Sequence, residues 1–296
     1  MDYLKLMRYK NLLMVLLTLI LTKYLLLDSI IPSNHFSLLH FVIFSLSVLF
    51  ITAFGYLIND YFDIEADLIN KPTKVYVTRI ISKKKAFKIS IILAFIGLTL
   101  GGIVSYSASK KALVLFYVFV IIGLYLYSSY LKKVAILGNI LISIFCALPI
   151  FLLYVFIVDI NFTSLQTILF FDYPIFVYIL FAVFVTLIRE LIKDIEDTNG
   201  DLKIKAKTLP IIIGKKRAAN IVFFLSCFLC VSCIKVLWVL QKSNGIFLYC
   251  ITFILTPLLF FLYKLWFADS KKDFTLLSNL LKIILFFGIL SMLFFY

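Results

Sequence analysis

Long apolar runs alternate with short polar segments along almost the whole chain. Nine runs come close to the roughly 20 residues an α-helix needs to cross a bilayer. They lie at about 11–31, 38–59, 85–107, 112–130, 135–158, 171–190, 216–240, 245–267 and 274–296. In lipid a helix satisfies its own backbone hydrogen bonds, which an open strand does not. The pattern therefore predicts an all-α, polytopic membrane protein with nine transmembrane helices. The intervening segments are too short for a separate soluble domain, so residues 1–296 are expected to form a single membrane domain. The first run follows a few charges but no small-residue cleavage site, and it reads as a retained helix, not a signal peptide.

Composition agrees with this reading, and charge adds orientation to it. Apolar residues are 64% of the chain and charged residues 15%, yet the net charge is +14. With the N-terminus inside, nine helices put the connections after helices 2, 4, 6 and 8 on the cytoplasmic side. Those connections and the N-terminal tail hold most of the loop lysines and arginines, including Lys5, Arg8, Lys10, Lys71, Arg79, Lys132, Arg189 and Lys193. The opposite side holds only Lys110, Lys111 and Lys242. A bias of roughly seven to one is the positive-inside signature. It puts the C-terminus on the far side and assigns the basic charge to topology and anionic membrane lipids, which argues against nucleic acid as a partner.

The acidic residues are few and grouped. Asn59-Asp60-Tyr61-Phe62-Asp63-Ile64-Glu65-Ala66-Asp67 ends the second apolar run, and Asp194-Ile195-Glu196-Asp197-Thr198-Asn199-Gly200-Asp201 follows the sixth. In each, three aspartates fall at i, i+3 and i+7, which on a helix is one face. Three carboxylates on one face repel unless a cation sits against them. Oxygen donors without histidine or cysteine point to a hard cation such as Mg2+, whose best use here is to bridge to a phosphate or pyrophosphate. The two copies stand 134 residues apart, which predicts two four-helix repeats plus a ninth helix, with both acidic faces above one cavity. The motifs are expected at helix ends running into the two longest loops. In the second loop Lys203, Lys205 and Lys207 alternate; in an extended chain they would point one way, toward an anionic headgroup or merely toward phospholipid.

Other candidates carry less. Cys227, Cys230 and Cys233 share one helix face, but with no histidine or acid nearby they read as packing residues, as do Cys146 and Cys250. His35 and His40 lie at the far end of the second helix from the acids and read as surface histidines.

The acidic stretches fit the patterns N-D-x-x-D-x-x-x-D and D-x-x-D-x-x-x-D, and the chain thereby resembles the UbiA superfamily of membrane prenyltransferases. Arg8-Tyr9-Lys10-Asn11 resembles that family's opening R-x-x-N, and Tyr127-Ser128, Leu131-Lys132 and Gly138-Asn139 resemble a further family stretch. Arg189-Glu190-Leu191-Ile192-Lys193-Asp194, Asn70-Lys71-Pro72 and Thr208-Leu209-Pro210-Ile211 are most similar to the geranylgeranylglyceryl-phosphate geranylgeranyltransferases within it. After Pro72 that subgroup continues with Arg-Pro and a small-residue turn, where this chain has Thr73-Lys74-Val75-Tyr76-Val77.

The resemblance implies Mg2+-dependent transfer of a prenyl group, geranylgeranyl in that subgroup, from an allylic pyrophosphate to a lipophilic acceptor. It implies Asn59, Asp60, Asp63, Asp67, Asp194, Asp197 and Asp201 as metal ligands, the six aspartates being the catalytic set. Arg8, Asn11, Asn59, Tyr127, Lys132, Arg189 and Lys193 are implied as substrate-binding. The favoured acceptor is geranylgeranylglyceryl phosphate, the alternative an aromatic quinone precursor. An ion-coupled transporter is a reading of another class. It needs carboxylates near the bilayer midplane, whereas both clusters lie at helix ends.

Overall fold

A computed structural model describes residues 6–31, 36–158 and 173–295; Lys5 and His35 lie outside them. Among the described residues there are nine helices long and apolar enough to cross a membrane, and this is a multi-pass membrane protein. They are α1 (Tyr9–Ile30), α2 (Leu38–Phe62), α3 (Lys83–Ser107), α4 (Lys111–Ser129), α5 (Leu137–Ile157), α6 (Tyr173–Lys203), α7 (Lys215–Leu240), α8 (Asn244–Trp266) and α9 (Lys271–Phe295). No strand forms among the described residues; two isolated β-bridges, Val77 with Ile81 and Val134 with Lys207, pin the connections.

Helix starts follow from local chemistry. Ser37 and Ser82 accept the backbone N–H three residues on and so cap α2 and α3. Ser270 and Asp273 form a reciprocal capping box at α9. His40 pairs with the Ser37 hydroxyl at 2.9 Å on the exposed end of α2, far from any acidic motif.

The apolar core falls into two clusters. One is built mainly from α1 to α5, with Phe44, Phe54, Leu57 and Leu153 fully buried. The other is built from α6 to α9 around Ile188, Leu258, Phe261 and Leu277. The division of the core falls after α5, because Leu152, Leu153, Val155 and Phe156 of α5 pack with the first group. Helix α6 joins the halves: it packs against α5, α7, α9 and the short helix Ile64–Asn70.

Two local departures from the sequence expectation shape the site. Helix α6 continues unbroken to Lys203, beyond the expected end near residue 190. Buried Ile188, Leu191, Ile192, Ile195 and Thr198 recur every three or four residues, so the apolar stripe persists after the mean hydropathy has fallen. The second motif thus lies on helix, not in a loop. The first motif is broken: α2 ends with Asp63 as its cap, and the chain starts again as the helix Ile64–Asn70.

Candidate active site

Beneath these motifs lies a cavity of about 850 Å3. Asp60, Asp63 and Asp67 line it from one side, and Asp194, Asp197 and Asp201 from α6 on the other. Arg8, Asn11, Asn59, Tyr127, Lys132, Arg189 and Lys193 line the same space, so the expected metal ligands and these seven substrate-binding candidates meet at one place. Away from the acids the walls turn apolar, through Val15, Ile51, Leu124 and Phe145 to Leu285, Ile289 and Met292.

The carboxylates are held by basic and amide side chains. Arg8 donates to Asp60 Oδ1 at 2.5 Å, and its guanidinium lies 5.0 Å from the centre of the Tyr56 ring. Arg8 reaches this position with a left-handed backbone (φ 52°) just ahead of α1, a conformation that costs a non-glycine residue free energy. Asp63 is buried and accepts from both Lys132 Nζ and Asn59 Nδ2, the latter at 2.6 Å. On α6, Asp194 Oδ2 accepts from Asn139 Nδ2 at 2.9 Å and Asp197 Oδ2 from Lys71 Nζ at 2.5 Å. Glu190 takes both Arg189, at 2.6 Å, and Lys193, at 3.7 Å.

Close packing sets this register. Gly138 lies against the turn that carries Lys132, where an added Cβ would sit 2.6 Å from the Leu131 carbonyl oxygen. At the other motif, the Asn70 side chain donates to the Asp197 carbonyl at 2.8 Å and accepts from the Gly200 N–H at 3.0 Å. A Cβ on Gly200 would lie 2.2 Å from Asn70 Nδ2 and 2.7 Å from the Ala66 carbonyl oxygen. Gly200→Ala is therefore expected to push the short helix off α6 and to cost about 1–3 kcal/mol of stability. Thermal unfolding in detergent checks this, and an unchanged midpoint would refute the close contact.

Several contributors were not named as site residues from the sequence, although Asn70, Lys71 and Asn139 belong to stretches that carry the family resemblance. Asn70 and Lys71 couple the two motifs, and Asn139 orients Asp194. Lys282, Asn279 and Thr275 enter from α9. The alternating lysines do not act as expected. Lys203 closes α6, Lys205 is left-handed (φ 54°), and none of Lys203, Lys205 and Lys207 lines the cavity. The three never form one extended row, because the helix runs to Lys203, Lys205 turns the chain, and only Lys207 is bridged, to Val134.

As the side chains stand, no three acidic, histidine or cysteine residues converge as a metal site among the described residues. The donor set nonetheless suits a hard cation. Asp197 Oδ1 is buried without a partner, and the Asp67 carboxyl is pushed above its ordinary range by burial and then by the negative charge of Asp63. Both features mark negative charge short of countercharge in an oxygen-lined space.

A bundle of membrane helices in which α1, α2, α4, α5, α6 and α9 line a cavity acidic at one end and apolar at the other defines a class, and the comparisons agree. The UbiA prenyltransferase family model matches residues 15–290, and the chain belongs to that family. It is 34% identical over 187 residues to the digeranylgeranylglyceryl phosphate synthase of Methanosphaera stadtmanae, covering 63% of this chain and 62% of that one. With the same enzyme of Saccharolobus solfataricus the identity is 39% over 171 residues, covering 58% and 56%. The chain thus spans roughly three fifths of the length of the curated relatives it matches. A solved structure described for digeranylgeranylglyceryl phosphate synthase in membranes is 26% identical, with a TM-score of 0.68 over 99% of this chain and 96% of that one. A UbiA homologue from Archaeoglobus fulgidus, bound to GPP and Mg2+, shares the fold at 18% identity, with a TM-score of 0.63 over 99% of each chain.

Proposed function

We propose that this chain is a Mg2+-dependent membrane prenyltransferase, in one domain spanning residues 1–296. It moves a prenyl group, geranylgeranyl in the favoured reading, from an allylic pyrophosphate to geranylgeranylglyceryl phosphate. The convergence of both aspartate triplets on one cavity with an apolar far end carries this reading. The named relatives and the metal- and pyrophosphate-bound fold neighbour support it.

In this account Asn59, Asp60, Asp63 and Asp67 hold Mg2+ from one side and Asp194, Asp197 and Asp201 from the other. Bound there, Mg2+ supplies electrostatic stabilisation to a departing pyrophosphate. Lys132, Arg8 and Lys71 add positive charge at the same level, and the C–O bond breaks with its electron pair leaving on the pyrophosphate. The allylic cation left behind faces Tyr127, whose ring tolerates positive charge. An acceptor hydroxyl then forms the new C–O bond and gives up its proton, so the products are an ether, pyrophosphate and a proton. The apolar walls hold the tail and keep water from the cation. The bias of the basic connections supports a topology with the N-terminus and the acidic end in the cytoplasm and the C-terminus on the far side.

An acceptor panel tests the substrate. Purified protein, Mg2+ and labelled geranylgeranyl pyrophosphate are offered geranylgeranylglyceryl phosphate or an aromatic acid. Label is expected in the glycerol ether. Label only in the aromatic product would overturn the acceptor and keep the reaction class.

A further inference from the structure

Helix α9 carries a feature that pyrophosphate chemistry does not use. Thr275, Ser278, Asn279 and Lys282 follow the spacing i, i+3, i+4, i+7, form one face, and all line the cavity. Continuing along that face, Leu285, Gly288, Ile289 and Met292 also line it, and all are apolar. One helix therefore presents the cavity with a polar half and then an apolar half. A polar stripe within a membrane helix is costly, and such residues there usually serve a ligand or a pathway.

Three contacts fix how α9 faces α6. Thr275 donates to Glu196 at 2.7 Å, the Tyr178 and Ser291 hydroxyls are 2.7 Å apart, and the Phe181 ring lies over Gly288. The helices run antiparallel, so a step up α9 matches an equal step back along α6. Lys282 is two turns beyond Thr275, and Arg189 is two turns before Glu196. Two turns return each side chain to its starting face, so Lys282 stands level with Arg189, and Asn279 stands one turn away, near Lys193. Arg189 and Lys193 share the single carboxylate of Glu190, and Arg189 Nε is buried with no hydrogen-bond partner. Within this group Lys193 directly precedes Asp194, and Arg189 lies about 7.5 Å back along α6 from it.

We propose that Lys282 and Asn279 of α9, facing Arg189 and Lys193 of α6, form the site for a phosphomonoester on the acceptor lipid. This rests on the prenyl-transfer reading and deepens it. In a glycerol phosphate the phosphate and the neighbouring hydroxyl are on adjacent carbons. Phosphate held here keeps that hydroxyl within reach of a prenyl carbon beneath the acidic motifs. The apolar half of α9 then runs beside the acceptor's tail.

Binding to the full chain in detergent tests this without turnover. Wild type is expected to bind geranylgeranylglyceryl phosphate at least tenfold more tightly than geranylgeranylglycerol. Lys282→Gln should bring that ratio close to one, Lys282→Arg should keep most of it, and Asn279→Ala should reduce it. Binding of the thio-analogue of geranylgeranyl pyrophosphate should change less than twofold in all three. An unchanged ratio in Lys282→Gln, or equal weakening of the pyrophosphate analogue, overturns the proposal. So does equal competition by tail-free glycerol phosphate, which would make the ligand a soluble phosphomonoester. Absence of label transfer by wild type to any acceptor would refute the prenyl-transfer reading, while the binding ratios still decide the pocket.

Discussion

Asp63→Asn and Asp197→Asn should each lower prenyl transfer about a thousandfold while the protein remains folded. Asparagine keeps the shape of the side chain and a carbonyl oxygen for Lys132 or Lys71, so the packing around each position survives. What disappears is one negative charge from an oxygen-lined site that has to hold a divalent cation. Asp63 sits where α2 breaks, and Asp197 sits on α6 with Oδ1 buried and unpartnered. The two substitutions thus probe opposite walls of one cavity. If the walls act as a unit, the double variant loses little more than either single one, because groups that work together are not additive. Initial rates with labelled donor check this. Full activity in either variant would remove that wall from the chemistry.

Lys132→Met should lower transfer about a hundredfold and also destabilise the fold. Lys132 is the cation at Asp63, whose other side-chain hydrogen-bond partner is Asn59. Breaking a buried pair from one side leaves an uncompensated charge; because Lys132 is a third exposed, the loss should be about 2 kcal/mol, below the fully buried case. Burial opposes the charge on Lys132, but Asp63, together with Tyr127 and Asp67, holds the amine above its ordinary range. A raised amine stabilises the fold below its unfolded pKa, about 10.4, and that stability is lost as pH rises through the higher folded value. The deficit of the methionine variant should therefore be constant from about pH 6 to 9 and shrink only in strong alkali. Added Mg2+ should raise its unfolding midpoint more than it raises that of wild type, since Asp63 then lacks its resident cation. A midpoint equal to wild type at neutral pH would show the pair to be incidental.

Much of this site was legible because it is built at helix ends. The aspartates announce themselves by sharing a helical face in a chain with little other acid, and Arg8, Lys132, Arg189 and Lys193 stand beside apolar runs that fix their depth. Pairings across the sequence were not legible. Asn70 holds Gly200 and Asp197 from more than a hundred residues away, and Asn70-Lys71-Pro72 carried a family resemblance without indicating that contact. The break at Asp63 was hidden because Asp60 and Asp67 keep helical spacing across it. The extension of α6 was hidden for the opposite reason: charged residues between 189 and 203 lower the mean hydropathy while the buried stripe persists on the other face. The α9 stripe could have been found from its spacing, but a lone lysine in a last apolar run resembles an interfacial one.

The central claim is that the two acidic walls carry one metal-dependent transfer. Single-turnover transfer of labelled geranylgeranyl to geranylgeranylglyceryl phosphate, with Mg2+ removed by EDTA and then restored, tests it most directly. The account predicts transfer at background level with EDTA and full recovery when Mg2+ returns in excess. Transfer that continues at its full rate in EDTA would contradict it.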